Sequence, residues 1–208
     1  MRTRARRRRG ETWVLSMALL LLTSAALSGT LSGCSDGEGT RSDQTTERSI
    51  PMSIELRSDA FAAGGVIPRR YSGDGEDLSP PLAWSGVPAD AEELALIVDD
   101  PDASPSKPWV HWVMYKIPPT LEGLPEGVPA TGVPVGVGGA LQGPNDSGTV
   151  GYAGPAPPRG RGVHHYHFKL YALDSPLALT AGAGKKELLA VMAGHVLAQG
   201  ELVGTYER

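Results

Sequence analysis

"GVHHYHFKLYALD", residues Gly162–Asp174, places three histidines within four positions and then runs on in alternation. Side chains two apart on a strand share a face. His164, Tyr166, Phe168, Leu170 and Ala172 form one face, apolar except at its start. His165, His167, Lys169 and Tyr171 form the other, wetter face. The pattern predicts a half-buried strand. Its first inward side chains, His164 and Tyr166, are expected at the rim of the core, where a pocket can open. The histidines could serve a metal, a reaction or an anion, or simply cover a strand.

The surrounding sequence points to a mostly β domain. Gly and Pro are spread through it and bound short apolar runs. "MSIELRS" alternates as a half-buried strand does. "LALIV", Leu94–Val98, is apolar throughout and suits a central strand covered on both faces. "WVHWVMYKI", Trp109–Ile117, is another long strand, with Trp109, His111, Val113 and Tyr115 expected on one face. Residues 132–158 read as a long Gly/Pro loop, and loops of that length are often functional. One helix is predicted over "KKELLAVMAGHVLAQG". Leu188, Leu189, Met192 and Val196 form its apolar stripe, and Gly200 stops it. "ELVGTYER" reads as a closing strand.

Metal chemistry fits the histidines poorly. His165 and His167 share a face, but Tyr171 and Ala172 stand where a further carboxylate ligand would be needed. Zinc sites usually take three or four protein ligands. No metal or other cofactor is expected. A serine hydrolase is also weakly supported, because no Gly-x-Ser-x-Gly elbow is present. A better partner for His164 lies after the buried strand. Asp99-Asp100 ends it, Pro101 stops regular pairing, and Asp102 follows in a turn. His111, like His164, is a polar residue at the start of an apolar strand face.

The chain begins with an export pattern. "MRTRARRRRG" carries six arginines, and "WVLSMALLLLTSAAL" follows without charge. That apolar run is short for a membrane span, which needs about 20 residues. "LSGC", Leu31–Cys34, resembles the lipobox of bacterial lipoproteins, which implies cleavage before Cys34 and acylation of its sulfur. Residues 1–33 are therefore expected as signal peptide, 34–50 as a flexible polar tether and 51–208 as the folded domain. Cys34 is the single cysteine of the chain, so no intramolecular disulfide is possible. Residues 1–33 hold six of the 19 basic and one of the 23 acidic side chains, so 13 and 22 remain. An acidic mature surface argues against nucleic acid, whose binding rests on neutralising phosphates. It also argues against electrostatic adhesion to anionic lipid. The lipid anchor would hold the domain at the outer side of a membrane instead.

"DPDASPSKPWVHWVMYKIP" together with "GYAGPAPPRGRGVHHYHFKLYALD" resembles the phosphatidylethanolamine-binding protein family. The likeness is to its bacterial and archaeal branch, the Raf kinase inhibitor-like proteins. "YSGDGEDLSPPLAWSGVP", "NDSGTVGYAGPAPP" and "GHVLAQGELVGTY" extend it over about Ile54–Arg208. The resemblance implies a β-sandwich-like fold: a large antiparallel sheet packed on a smaller one, with few peripheral helices. It also implies a small anion pocket built from Asp100, Trp109, His111, His164 and Tyr166. Pro157 and Pro158 would form its wall, and Asp102 would brace the turn. His165 stands where arginine is more usual, and Ala156 where cysteine is. No counterpart of the eukaryotic C-terminal helix follows Tyr206, so a more open pocket is expected.

These residues suit recognition of a phosphate-like anion or a phospholipid head group. Two other functions stay open: regulation or inhibition of a kinase or protease through protein contact, and hydrolysis in the same pocket.

Overall fold

The computed structural model describes residues 54–103 and 106–208. The expected signal peptide and tether, with Cys34, lie outside them. Among the described residues, eight strands and one α-helix follow in the order β1 (Glu55–Arg57), β2 (Leu82–Ser85), β3 (Glu93–Asp100), β4 (Trp109–Ile117), β5 (Gly123–Leu124), β6 (Leu141–Gln142), β7 (His164–Leu173), α1 (Lys185–Met192) and β8 (Val196–Tyr206). A three-stranded sheet has the order β1-β2-β5, and a five-stranded sheet the order β6-β4-β3-β7-β8. All strand pairs are antiparallel. This is the expected mostly β architecture of a large sheet against a smaller one.

The two faces of the large sheet are covered differently. Leu94, Leu96, Val98, Phe168 and Leu170 pack with Leu56, Leu82, Trp84 and Leu124 of the small sheet. Ala95, Ile97, Val113 and Tyr115 face the other way, toward Leu177, Leu188 and Met192. Every residue of β3 is buried, as its unbroken apolar run predicts. In β7, His164, Tyr166, Phe168, Leu170 and Ala172 are buried, while His165 is exposed and His167, Lys169 and Tyr171 are half-buried.

Three expectations need correction. The helix is shorter than its stripe suggested, ending at Met192. Gly194 takes a left-handed φ of 85° there, and the alternating "VLAQGELVGTY" begins β8 at Val196. Gly200 consequently lies inside a strand, where a Cβ would stand 2.3 Å from the Ile54 carbonyl oxygen. Leu189, placed on the apolar stripe, is exposed.

The second correction concerns β4. Val98 pairs with Trp112, but Asp99 pairs with Val110. One extra residue in β4 makes a bulge, and a bulge re-aims side chains. His111 therefore shares the inner side with Trp112 and Met114, not with Val113 and Tyr115, which pack on the outer side. The third is the long loop, which contains β6 and a bridge between Pro144 and Val150.

β8 is the last strand of the large sheet. Its outer rim is partly covered by residues 64–67. Gly64 N–H donates to Val203 O, Ile67 N–H to Thr205 O, and Thr205 N–H to Gly65 O, at 2.7, 2.8 and 2.8 Å.

Candidate functional site

Asp100 closes β3, and its last pairing is with Trp109 at the start of β4. Past Pro101 the chain turns back on the Asp100 carboxylate. Asp100 Oδ1 accepts the amides of Asp102 (2.7 Å) and Ala103 (3.1 Å). Asp100 Oδ2 lies 2.8 Å from His164 Nδ1. Asp100 and His164 are both buried, at 2% and 5% exposure. Burying this pair is tolerable because each oxygen has a donor. Asp102 braces the same turn from outside. Its Oδ2 accepts the amide and Nδ1–H of His165 at 2.9 and 2.8 Å. The His165 hydrogen bond holds the Asp102 carboxyl below the usual carboxylate range.

His111 enters from β4 because of the bulge. Its Nδ1 lies 2.6 Å from the Ala153 carbonyl oxygen. A carbonyl only accepts, so this nitrogen carries the proton. His111 stands edge-on to the Tyr166 ring, centroids 5.0 Å apart and planes at 79°. Burial pushes the His111 imidazole below its ordinary value, against the opposing pull of the Ala153 carbonyl and the Asp100 charge. Burial, with the Asp100 charge beside it, raises the Tyr166 hydroxyl well above the usual tyrosine range. Tyr166 is therefore a neutral hydroxyl at physiological pH.

A cavity of about 290 Å³, open to solvent, brings these groups together. Asp100, Trp109, His111, Pro157, Pro158, His164 and Tyr166 all line it. Trp109 is 38% exposed and forms part of the rim. Ala156, noted from sequence only as a replacement for cysteine, also lines the cavity, as do Ala103, Ser147 and Gly154, which the sequence did not point to. Ser147 follows the Asn145 turn, whose side-chain oxygen accepts the Ser147 amide at 3.0 Å. The turn residues "NDSG" inside the long loop were the available signal for it.

The outer-face histidines are engaged separately. His167 Nδ1 lies 2.8 Å from Glu201 Oε1, and among the described residues no three His, Cys, Asp or Glu side chains are placed to hold a metal ion. Ser175, His195 and Asp174 come together at the surface, but not as a triad. Ser175 Oγ and Asp174 Oδ1 both approach His195 Nδ1, at 3.0 and 2.8 Å. A serine–histidine–aspartate relay needs its serine and acid on opposite ring nitrogens.

A family model described as phosphatidylethanolamine-binding protein matches residues 57–207. A UPF0098 protein of Methanothermobacter thermautotrophicus is 54% identical over 156 residues, covering 74% of this chain and 99% of its own. A Mycobacterium tuberculosis protein provisionally named lipoprotein LppC is 38% identical over 209 residues, covering 94% of this chain and 99% of its own. Among solved structures, a phosphatidylethanolamine-binding protein homologue from Chlamydia trachomatis is 42% identical with a TM-score of 0.67, covering 75% of this chain and 98% of that one. YbcL of E. coli is 31% identical with a TM-score of 0.68, covering 75% and 99%. Family model, curated relatives and solved relatives agree: the chain belongs to the phosphatidylethanolamine-binding protein family.

Proposed function

We propose that the protein is a membrane-anchored binding protein that recognises a phosphate-bearing or other small anionic group, such as a phospholipid head group. One observation carries this reading. Two buried imidazoles line one cavity, and each has Nδ1 committed to a protein acceptor. Nε2 of each is then the ring nitrogen left for a ligand. In the neutral tautomer that nitrogen accepts, and in the imidazolium it donates. An oxyanion is held only when the histidines are protonated or the anion brings its own proton, as hydrogen phosphate does. Tyr166 and the rim hydroxyl of Ser147 add neutral polar groups, so the pocket suits a tetrahedral oxyanion.

The test is a titration with inorganic phosphate and phosphorylethanolamine, followed by NMR of the histidine ring signals at two pH values. Saturable shifts of His111 and His164, stronger at the lower pH, are expected. Shifts that never saturate, or none at all, would sink the anion reading.

The leader supports placement of the domain outside a membrane. The similarity to LppC covers 94% of this chain, and "LSGC" stands at the end of the basic and apolar leader. Among the described residues no helix is long and apolar enough to cross a membrane. We expect acylation at Cys34, and Cys34→Ser should block processing or release the protein from the membrane fraction. Mass spectrometry of the native protein decides this: an intact leader or an unmodified Cys34 would contradict it.

A further inference from the structure

The wall of the cavity is splinted by a segment that does not line it. Tyr152 Oη–H donates to the Tyr71 carbonyl at 2.8 Å, and Gly73 N–H donates to the Pro155 carbonyl at 3.0 Å. Between these, Asp77 Oδ1 accepts the Gly154 amide at 2.6 Å. Gly154 N–H and Ala153 C=O belong to one peptide group. The same group whose N–H faces the Asp77 carboxylate offers its oxygen to His111 Nδ1–H at 2.6 Å. A negative charge on the N–H side polarises a peptide and makes its oxygen a better acceptor. The approach is close enough to require glycine: a Cβ at Gly154 would stand 2.4 Å from Tyr71 O and 2.8 Å from Asp77 Oδ1. Asp77 also holds a left-handed φ of 57°, unusual outside glycine.

We propose that Asp77 is a positioning residue for His111, acting through the Ala153–Gly154 peptide to fix the imidazole's tautomer and favour its protonated form. The proposal rests on the reading that His111 meets the anion. Asp77 is not alone around that ring. Asp100 from β3, with His164 and Tyr166 from β7, lines the same cavity, and Asp99 adds a more distant charge from the carboxylate that Lys169 and Lys185 pair with. Asp100 already serves His164 and the Asp-rich turn, so Asp77 is the carboxylate coupled to His111 Nδ1. The path from carboxylate oxygen to ring nitrogen is roughly 8 Å, two hydrogen bonds and one amide.

Asp77→Asn tests this. Asparagine keeps an oxygen for the Gly154 amide and tolerates a left-handed backbone, but lacks the charge. By NMR, the midpoint of His111 should fall by roughly 0.5–1 pH unit. Phosphate affinity near pH 6 should fall about three- to tenfold with it. Asp77→Gly, which relieves the backbone but removes the acceptor, should fold and also lower the midpoint. In the unsubstituted protein, the Gly154 amide proton should shift with the His111 titration, which needs no variant. An Asp77→Asn midpoint equal to the wild type, or a Gly154 amide flat through that midpoint, would reduce Asp77 to a structural residue. These readouts need no ligand. A wild type that titrates as described but binds no phosphate would refute the anion reading and leave the Asp77 coupling standing.

Discussion

His164→Ala should weaken phosphate binding by about tenfold to more than a hundredfold, or roughly 1.5–3 kcal/mol. The loss has two sources. The substitution removes one of the two ligand-facing ring nitrogens, and it strips Asp100 Oδ2 of the imidazole 2.8 Å away. Asp100 is 2% exposed, so water cannot fully replace that donor. A loss of fold stability of about 1–3 kcal/mol should accompany the loss of affinity. His111→Ala should cost a similar factor in affinity, because it removes the other ligand-facing ring nitrogen, and it also leaves the Ala153 carbonyl without its donor. His165→Ala is the control. Its ring points outward to Asp102, both side chains are about half exposed, and such a pair contributes under about 1 kcal/mol. Titration calorimetry with phosphate on all three variants is decisive. Equal losses at His165 and His164 would contradict the face assignment.

The pH dependence has a definite sign. Burial lowers the His111 value below the usual ~6.5, so the unfolded chain binds that proton more readily. Neutral His111 therefore favours folding above that range, and the contribution is lost as pH falls toward its depressed folded value. A bound anion works in the opposite direction by stabilising the imidazolium. Added phosphate should accordingly raise the melting temperature more at pH 6 than at pH 8.

Trp112→Ala should damage the fold more than any of the histidine substitutions, costing about 3–5 kcal/mol. Trp112 is fully buried beside the bulge that aims His111. Its ring meets Tyr152 edge to face at 5.5 Å. Its indole N–H donates to Gln142 Oε1 at 2.6 Å, and the Gln142 amide in turn donates to the carbonyls of Pro129 and Thr131. The long loop is thus hung from the same side chain that fills the core. Truncation would open a cavity and orphan a buried amide oxygen together. A melting temperature lower by about 10 °C or more is expected for a domain of this size. Trp112→Phe helps to separate the two effects, since it keeps an aromatic ring and most of the buried volume but loses the donor. Thermal unfolding that places Trp112→Ala within about 1 kcal/mol of the wild type would contradict this account.

The strands that carry the site were legible because their burial is simple. β3 is covered on both faces and reads as an unbroken apolar run. β7 is covered on one face and reads as alternation. The bulge in β4 was not legible, because "WVHWVMY" is apolar on both sides of His111 and hides a change of phase. The helix was overextended because its 3.6-residue stripe runs without a polar break into the two-residue period of β8. Only the left-handed turn at Gly194 separates them. Strand periodicity brought His164 to the end of an inner face but put His111 on the side of Val113 and Tyr115, and the meeting of both histidines in one pocket with Asp100 was implied by the family resemblance. Asp77 escaped both. It lies in a Gly- and Asp-rich turn, 77 positions from the amide it binds, and no local pattern reports so distant a contact.

The strip at residues 64–67 bears on the proposed anchoring of the protein to a surface. Tethering confines copies to a thin layer and raises their local concentration. A bare final strand of 11 residues would there offer unpaired amides and carbonyls to the same strand of a neighbour. The hydrogen bonds from Gly64 and Ile67, and that to Gly65, occupy those groups toward the C-terminal end of β8. The chain thereby caps that end of its own sheet edge, so that crowding on a membrane, were the proposed anchor in place, would find those groups already occupied.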